Sequence, residues 1–251
     1  GFEAASGDVM IITDAGTVFA PDTIGKLMSY FADESVDCVV GAWTVVPSAD
    51  APYSRGERAY RNFEDKLRSL EAMAGIAFHG QGACTGFRRG IYPKIPPSIA
   101  ADLGAGLSVA VRGGHIVEAL NLGVSDFMDG DTHNQLRSRR RRVVRGMAAI
   151  RHFGQAMNPF HRPGLAFAVW SHKILRWLTG VWMIGAFATN LALYVAYDIP
   201  LYEVLFYLQC AYSLAALIGF VGDGTRVSKI PLFGIPMSIC VVVFAFTRGM
   251  A

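Results

Sequence analysis

Residues 178–197 contain no Asp, Glu, Lys or Arg, and residues 201–221 contain only Glu203, near one end. A bilayer span needs roughly 20 such residues. Two of them, separated by Asp198-Ile199-Pro200, predict a helical hairpin that crosses a membrane twice. Residues 230–247 are a third candidate, weakened by Pro231 and Pro236. A transporter module would carry ionisable residues near mid-span, and these runs have none. The hydrophobic fraction of 52% and mean hydropathy of +0.33 reflect this tail, because most of the charge lies before residue 164.

The flanks orient the hairpin. Lys173 and Arg176 precede the first span, Arg226 and Lys229 follow the second, and the short connection has Asp198 and Glu203 and no positive charge. Positive residues stay on the cytoplasmic side, which places residues 1–160 in the cytoplasm and makes the chain a multi-pass protein of the inner or plasma membrane. Residues 161–177 mix Leu165, Phe167, Trp170 and Trp177 with His172, Lys173 and Arg176. That composition suits an interfacial helix with aromatic and basic anchors.

The N-terminal part alternates strand and helix signals. Val9-Met10-Ile11-Ile12-Thr13 is a short apolar run ending in Asp14-Ala15-Gly16, the pattern of a buried strand with a polar loop at its carboxyl end. Pro21 and Asp22 open a helix, and residues 36–45 form a second strand. Residues 54–74 are helical in pattern, with Tyr60, Phe63, Leu67 and Leu70 on one face. A Gly-rich turn precedes Cys84–Arg89, Pro93, Pro96 and Pro97 mark a loop, residues 103–112 form a helix ended by Gly113-Gly114, and residues 115–119 form another strand. Strand–helix–strand order gives an α/β unit. The four cysteines are scattered, without metal-ligand spacing, and read as reduced or buried thiols. The chain has no starting Met and opens inside an ongoing structural unit, so it reads as part of a longer protein.

Three features carry candidate chemistry. Asp14 stands at the carboxyl edge of the sheet, where α/β folds bind ligands; it is a metal or ribose contact, or a turn cap. Asp102 precedes a helix after the Pro-rich loop, as an N-cap or as a general base. Arg137, Arg139, Arg140, Arg141, Arg142, Arg145 and Arg151 crowd one stretch. Such a run is a solvated helix face, a lipid-phosphate contact or a diphosphate clamp, since the guanidinium fork binds two oxygens at once.

The order of these motifs resembles a known family. Ala5-Ser6-Gly7-Asp8 through Thr13-Asp14-Ala15-Gly16-Thr17, followed by Pro21-Asp22, is similar to the metal-loop segment of family-2 inverting glycosyltransferases. Asp33–Gly41 resembles the strand that follows it there. Gly82–Arg89 resembles the acceptor-side strand, Asp102 with Leu107 and Gly113 the final acidic motif, and Arg139–Gly146 the arginine motif of membrane members. Ser171–Trp177 resembles their interfacial helix.

The resemblance implies a partial GT-A (Rossmann-like) α/β domain over residues 1–160, the C-terminal part of the catalytic domain, an interfacial helix over 161–177 and a membrane region over 178–251. It implies transfer of a sugar, with inversion, from a nucleotide-sugar donor to a glycan or lipid-linked acceptor at the cytoplasmic membrane face, as in polysaccharide biosynthesis. Asp102 would be the catalytic base. Asp14 would hold a divalent Mg2+ or Mn2+ and the diphosphate, with Gly82, Arg139 and Arg142 also on the substrate. Membrane lipids are implied partners, and nucleic acid is not. Three departures bear on this. Gly16 replaces the usual second metal-loop donor, so metal binding is weakened or the backbone or His133 supplies the donor. Ala101 precedes Asp102 where the family has an acid, and Arg139 and Val143 replace the Gln and Trp associated with processive synthesis. Gly16 and Ala101 favour the alternative of a non-catalytic, membrane-anchored GT-A-like scaffold. The family's nucleotide-binding half lies upstream of these motifs, so the chain alone is expected to be inactive.

Overall fold

In the computed structural model, the described residues are 4–46, 55–91, 95–127, 132–222, 225, 227 and 230–250. The chain divides into two units, one built from residues 1–135 and 144–173, the other from 136–143 and 174–251.

The first unit is built on a five-stranded mixed sheet: β1 (Val9–Ile12), β2 (Val18–Phe19), β3 (Val36–Val46), β4 (Thr85–Arg88) and β5 (His115–Phe127), in the order β1-β4-β3-β5-β2. β3 and β5 run parallel, and the other pairs are antiparallel. The carboxyl ends of β1, β3 and β5 therefore point the same way, as α/β chemistry requires. Helix α1 (Thr23–Tyr30) seats Leu27 against Val39, Ala83, Cys84, Ala119 and Leu122 in the core. Leu27 and Val39 are fully buried, each contributing about 1.5–3 kcal/mol. Asp22 starts α1 without a side-chain cap and instead pairs with Lys26 at 2.7 Å. Arg88 donates from Nε to the carbonyl of Val36 at 2.9 Å and from Nη2 to those of Phe31 and Asp33 at 2.9 and 3.0 Å. Its charge closes the end of α1.

One element differs from the sequence expectation, and another settles a face that the sequence left open. β5 extends to Phe127 instead of ending at Ala119. The chain kinks where Gly123 takes φ +68°, a conformation glycine adopts without Cβ strain, and there the carbonyl of Gly123 accepts the Ala20 amide at 3.0 Å. Beyond the kink, β5 pairs with β2 on one side and β3 on the other. Helix α2 (Arg55–Met73) forms as its periodicity predicts, with Phe63 and Leu70 of its apolar stripe facing outward and Leu67 half-buried. Phe63 is 63% exposed and Leu70 53%, whereas Glu71 is 5% exposed. Tyr60's side chain lies outside the described residues.

Helix α3 (Ala101–Val111) is buried from Leu103 to Ala110, and α4 spans Thr132–His152. Residues 161–177 form α5 (Pro163–Val169), one π-helical turn (Trp170–Ile174) and α6 (Leu175–Trp177). Phe167, Trp170 and Leu175 are exposed, while His172 is buried.

The second unit contains α7 (Thr179–Ala196), α8 (Pro200–Val221) and α9 (Pro231–Met250, with Pro236 inside). Among the described residues, α7 and α8 are long and apolar enough to cross a membrane. Asn190 on α7 donates to Gln209 Oε1 on α8 at 3.2 Å, and the Tyr194 and Phe206 rings stack at 5.1 Å. Gly219 lets α8 approach α9, since a Cβ there would stand 2.5 Å from the Phe233 carbonyl oxygen. Arg226 and Lys229, used to orient the hairpin, lie outside the described residues.

Candidate functional site

The chain leaves β1 at Ile12, crosses the carboxyl ends of the strands and pairs again as β2 on the far side of β5. This crossing puts Asp14 and Gly16 over the carboxyl edge of the sheet, the edge at which α/β folds generally bind ligands. Thr17 donates its amide to the Asp14 carbonyl at 3.1 Å and closes a tight turn.

The turn Gly80-Gln81-Gly82 meets the crossing segment from below. Thr85 pins it, receiving the Gln81 amide at 2.6 Å and donating to the Gln81 carbonyl at 2.7 Å. A Cβ on Gly82 would stand 2.5 Å from Asp14 Oδ2, so the Asp14 carboxylate occupies the space that a side chain would need. A Cβ on Gly80 would stand 2.5 Å from the Asp102 carbonyl oxygen, so the first turn of α3 rests on the same Gly80–Gly82 turn. The structure thus gathers Asp14, Gly82 and the helix turn carrying Asp102. Asp102 lies in the first turn of α3 and is partly buried, so its carboxylate also benefits from the helix dipole.

The loop before Asp102 is held by Arg145. Its Nη2 donates to the carbonyls of Pro97 and Ile99 at 3.1 and 2.8 Å, while its own carbonyl accepts the Ala100 amide at 3.3 Å. This member of the arginine run serves the fold. Arg142 is exposed on α4, in the stretch that belongs to the second unit. The side chains of Arg139 and His133 lie outside the described residues.

Asp126 was not anticipated from the sequence. Its Oδ1 lies 3.5 Å from where a Gly16 Cβ would be, so a second carboxylate stands beside the position that lacks a side chain. Thr17 Oγ1, buried and without a hydrogen-bond partner, lies in the same segment. The donors here are hard oxygens, which suit Mg2+ or Mn2+. No sequence spacing links Asp126 to Asp14; only the β2–β5 pairing brings their segments together.

A second polar cluster lies on the inward face of α2. His172 Nδ1 is 2.8 Å from Glu71 Oε1 and its Nε2 is 3.3 Å from Glu64 Oε1, while Arg68 pairs with Glu64 at 3.2 Å. His79 Nδ1 faces Glu71 Oε2 at 3.7 Å. Burial, aided by the nearby Arg68 and Lys173 cations, holds the His79 imidazole neutral, well below the usual range. Burial also lifts the Glu118 carboxyl to about 7, with Asp65 and Glu71 adding to the shift and Arg68 opposing it. His172 reads in the sequence as an interfacial anchor, but the structure buries it among carboxylates.

The sequence matches the model of glycosyl transferase family 2 over residues 1–95. No match was found among curated protein sequences. Among solved structures, the fold is similar to that of the mannosyltransferase PcManGT from Pyrobaculum calidifontis in complex with GDP-Man and Mn2+, with 18% identity and a TM-score of 0.66. The likeness covers 99% of this chain and 64% of that one, so the chain spans under two thirds of that structure's length. Over its first 95 residues the chain is thus similar to family-2 glycosyltransferases, and its fold as a whole is similar to that of a GT-A mannosyltransferase.

Proposed function

We propose that the chain carries the acceptor side and metal loop of an enzyme that transfers a sugar, with inversion, from a nucleoside-diphosphate sugar to a glycan or lipid-linked acceptor at the cytoplasmic face of a membrane. One observation carries this reading: a single glycine turn, Gly80–Gly82, touches both the Asp14 carboxylate and the helix turn bearing Asp102. A donor-side acid and a candidate base thereby share one rigid support at the carboxyl edge of the sheet. The similar mannosyltransferase was solved with GDP-Man and Mn2+, which favours a nucleotide-sugar and a divalent ion here as well.

In this mechanism the Asp102 carboxylate accepts the proton of the acceptor hydroxyl. The freed oxygen attacks the anomeric carbon from the face opposite the leaving group. The bond from that carbon to the diphosphate oxygen breaks, and the nucleoside diphosphate leaves with the electron pair. Asp14 and Asp126 are the residues that would hold Mg2+ or Mn2+, which as a Lewis acid would stabilise the charge developing on the diphosphate. Gly82 keeps the Asp14 carboxylate in place by leaving it room. Residues 1–160 then supply the catalytic part, 161–177 a membrane-interface segment and 178–251 the anchor. The exposed Phe167, Trp170 and Leu175 and the two long apolar helices support that division.

The test is Asp102→Asn in the membrane-embedded, full-length protein. Sugar transfer from labelled donor should fall by about 10²–10⁴-fold, the usual loss for a positioned base, with donor affinity unchanged. Unchanged transfer in this variant would refute Asp102 as the base, and a wild type without any transfer would favour the non-catalytic scaffold.

A further inference from the structure

The inward face of α2 holds three donors that no step of the proposed transfer uses. Glu71, His79 and His172 come from α2, the segment before β4 and the π-helical turn, and their ligand atoms lie within 4.8 Å of one another. All are deeply buried, with side chains 6%, 3% and 1% exposed. Two facing atoms, Glu71 Oε2 and His79 Nδ1, have no hydrogen-bond partner although buried. At 3.7 Å they are too far apart for a good hydrogen bond. Two ligands of a tetrahedral zinc, at about 2.0–2.1 Å from the metal, stand about 3.3–3.4 Å apart. A shift of a few tenths of an ångström therefore turns an unsatisfied pair into two metal ligands.

We propose that Glu71, His79 and His172 form a structural Zn2+ site, separate from the site at Asp14. Imidazole nitrogens with a carboxylate suit Zn2+ better than Mg2+ or Mn2+, which prefer oxygen alone. Glu64, 3.3 Å from His172 and paired with Arg68, is placed to orient the His172 ring as an outer partner or to complete the four ligands. The ion would replace two orphaned polar atoms by coordinate bonds and cross-link three segments of the first unit. It also accounts for the reversed helix: α2 turns Glu64 and Glu71 inward and leaves Phe63 and Leu70 outside.

The experiment uses the whole chain in detergent micelles, stripped with chelator, given ZnSO4 and desalted. Metal content is read by mass spectrometry, affinity by competition with a chromophoric chelator, and geometry by the visible spectrum after Co2+ replacement. The wild type and Asp14→Ala should each retain one Zn2+ per chain, and Glu71→Gln and His79→Gln should bind at least about ten-fold more weakly. Zn2+ should raise the Tm of the wild type and not that of the two variants. Wild-type protein that retains no Zn2+, Zn2+ lost in Asp14→Ala, or equal affinity in folded Glu71→Gln and His79→Gln would each overturn the site. Should both variants fail to fold, the Co2+ spectrum of the wild type decides: intense four-coordinate bands support the site, and the weak bands of six-coordinate oxygen ligation refute it. None of these readouts depends on sugar transfer.

Discussion

Replacing Gly82 by alanine should separate stability from function. The new Cβ would meet Asp14 Oδ2 at 2.5 Å, whereas ordinary contact begins near 3.4 Å, so the carboxylate must retreat by about 0.9 Å. Gly82 has no positive φ, so the backbone accepts alanine without strain. The clashing atom is the far end of a side chain that can rotate away, which keeps the folding cost below about 1 kcal/mol, or roughly 2–4 °C in Tm for a unit of this size. On the proposed role of Asp14 the same movement displaces a metal ligand by nearly 1 Å, an error that costs on the order of 10²-fold in rate. Gly80→Ala is the control. Its Cβ would strike a backbone carbonyl, that of Asp102, which cannot rotate away, so overpacking should cost about 1–3 kcal/mol. The assay pairs thermal melts with turnover of labelled donor in the full-length protein. Wild-type turnover in Gly82→Ala, or a melting loss as large as that of Gly80→Ala, would refute the reasoning.

Asp126→Ala should raise the Mn2+ concentration needed for half-maximal transfer by at least about ten-fold, with the fold unchanged by circular dichroism. Glu118 offers a pH test. Its carboxyl rises from 4.5 to about 7 on folding, so between those values the folded state keeps a proton that the unfolded chain has released. Stability must then fall as pH rises through that window and stay lower above it. At about 1.4 kcal/mol per unit, Glu118→Gln should recover up to about 3 kcal/mol near pH 8 and nothing below about pH 4.5; parallel melting curves across the range would contradict this. In the second unit, Asn190→Ala removes a bond to Gln209 and should cost about 0.6 kcal/mol, measured by unfolding in micelles.

The sequence made the elements with local signals legible. β1, α1, β3, α2 and the two long helices each have a periodic pattern and a polar boundary, and they form within a residue or two of expectation. Asp14 and Gly82, read as substrate-side residues from separate motifs, lie against one another. What stayed hidden depends on contacts between distant segments. The second half of β5 mixes Asn121, Gly123, Ser125 and Asp126 with Leu122, Val124 and Phe127, and it is a strand because β2 and β3 pair with it. Asp126 was lost with that half-strand. The outward stripe of α2 could not be foreseen, because periodicity gives a helix two faces without saying which is inside. Glu71 and His172 lie 101 residues apart, and only the packed fold makes them neighbours.

The crossing from β1 to β2 has a consequence for how this protein can vary. Most surface loops absorb insertions at little cost. This one is a bridge with both abutments in a single sheet: Ile12 is fixed opposite Thr85, and Val18 opposite Ser125. One residue added between Gly16 and Val18 would turn Val18 and Phe19 to opposite faces or carry Asp14 off the edge. The span from Ile12 to Val18 therefore has a fixed length. Variants of this chain can differ in what the bridge displays, but hardly in how many residues it contains.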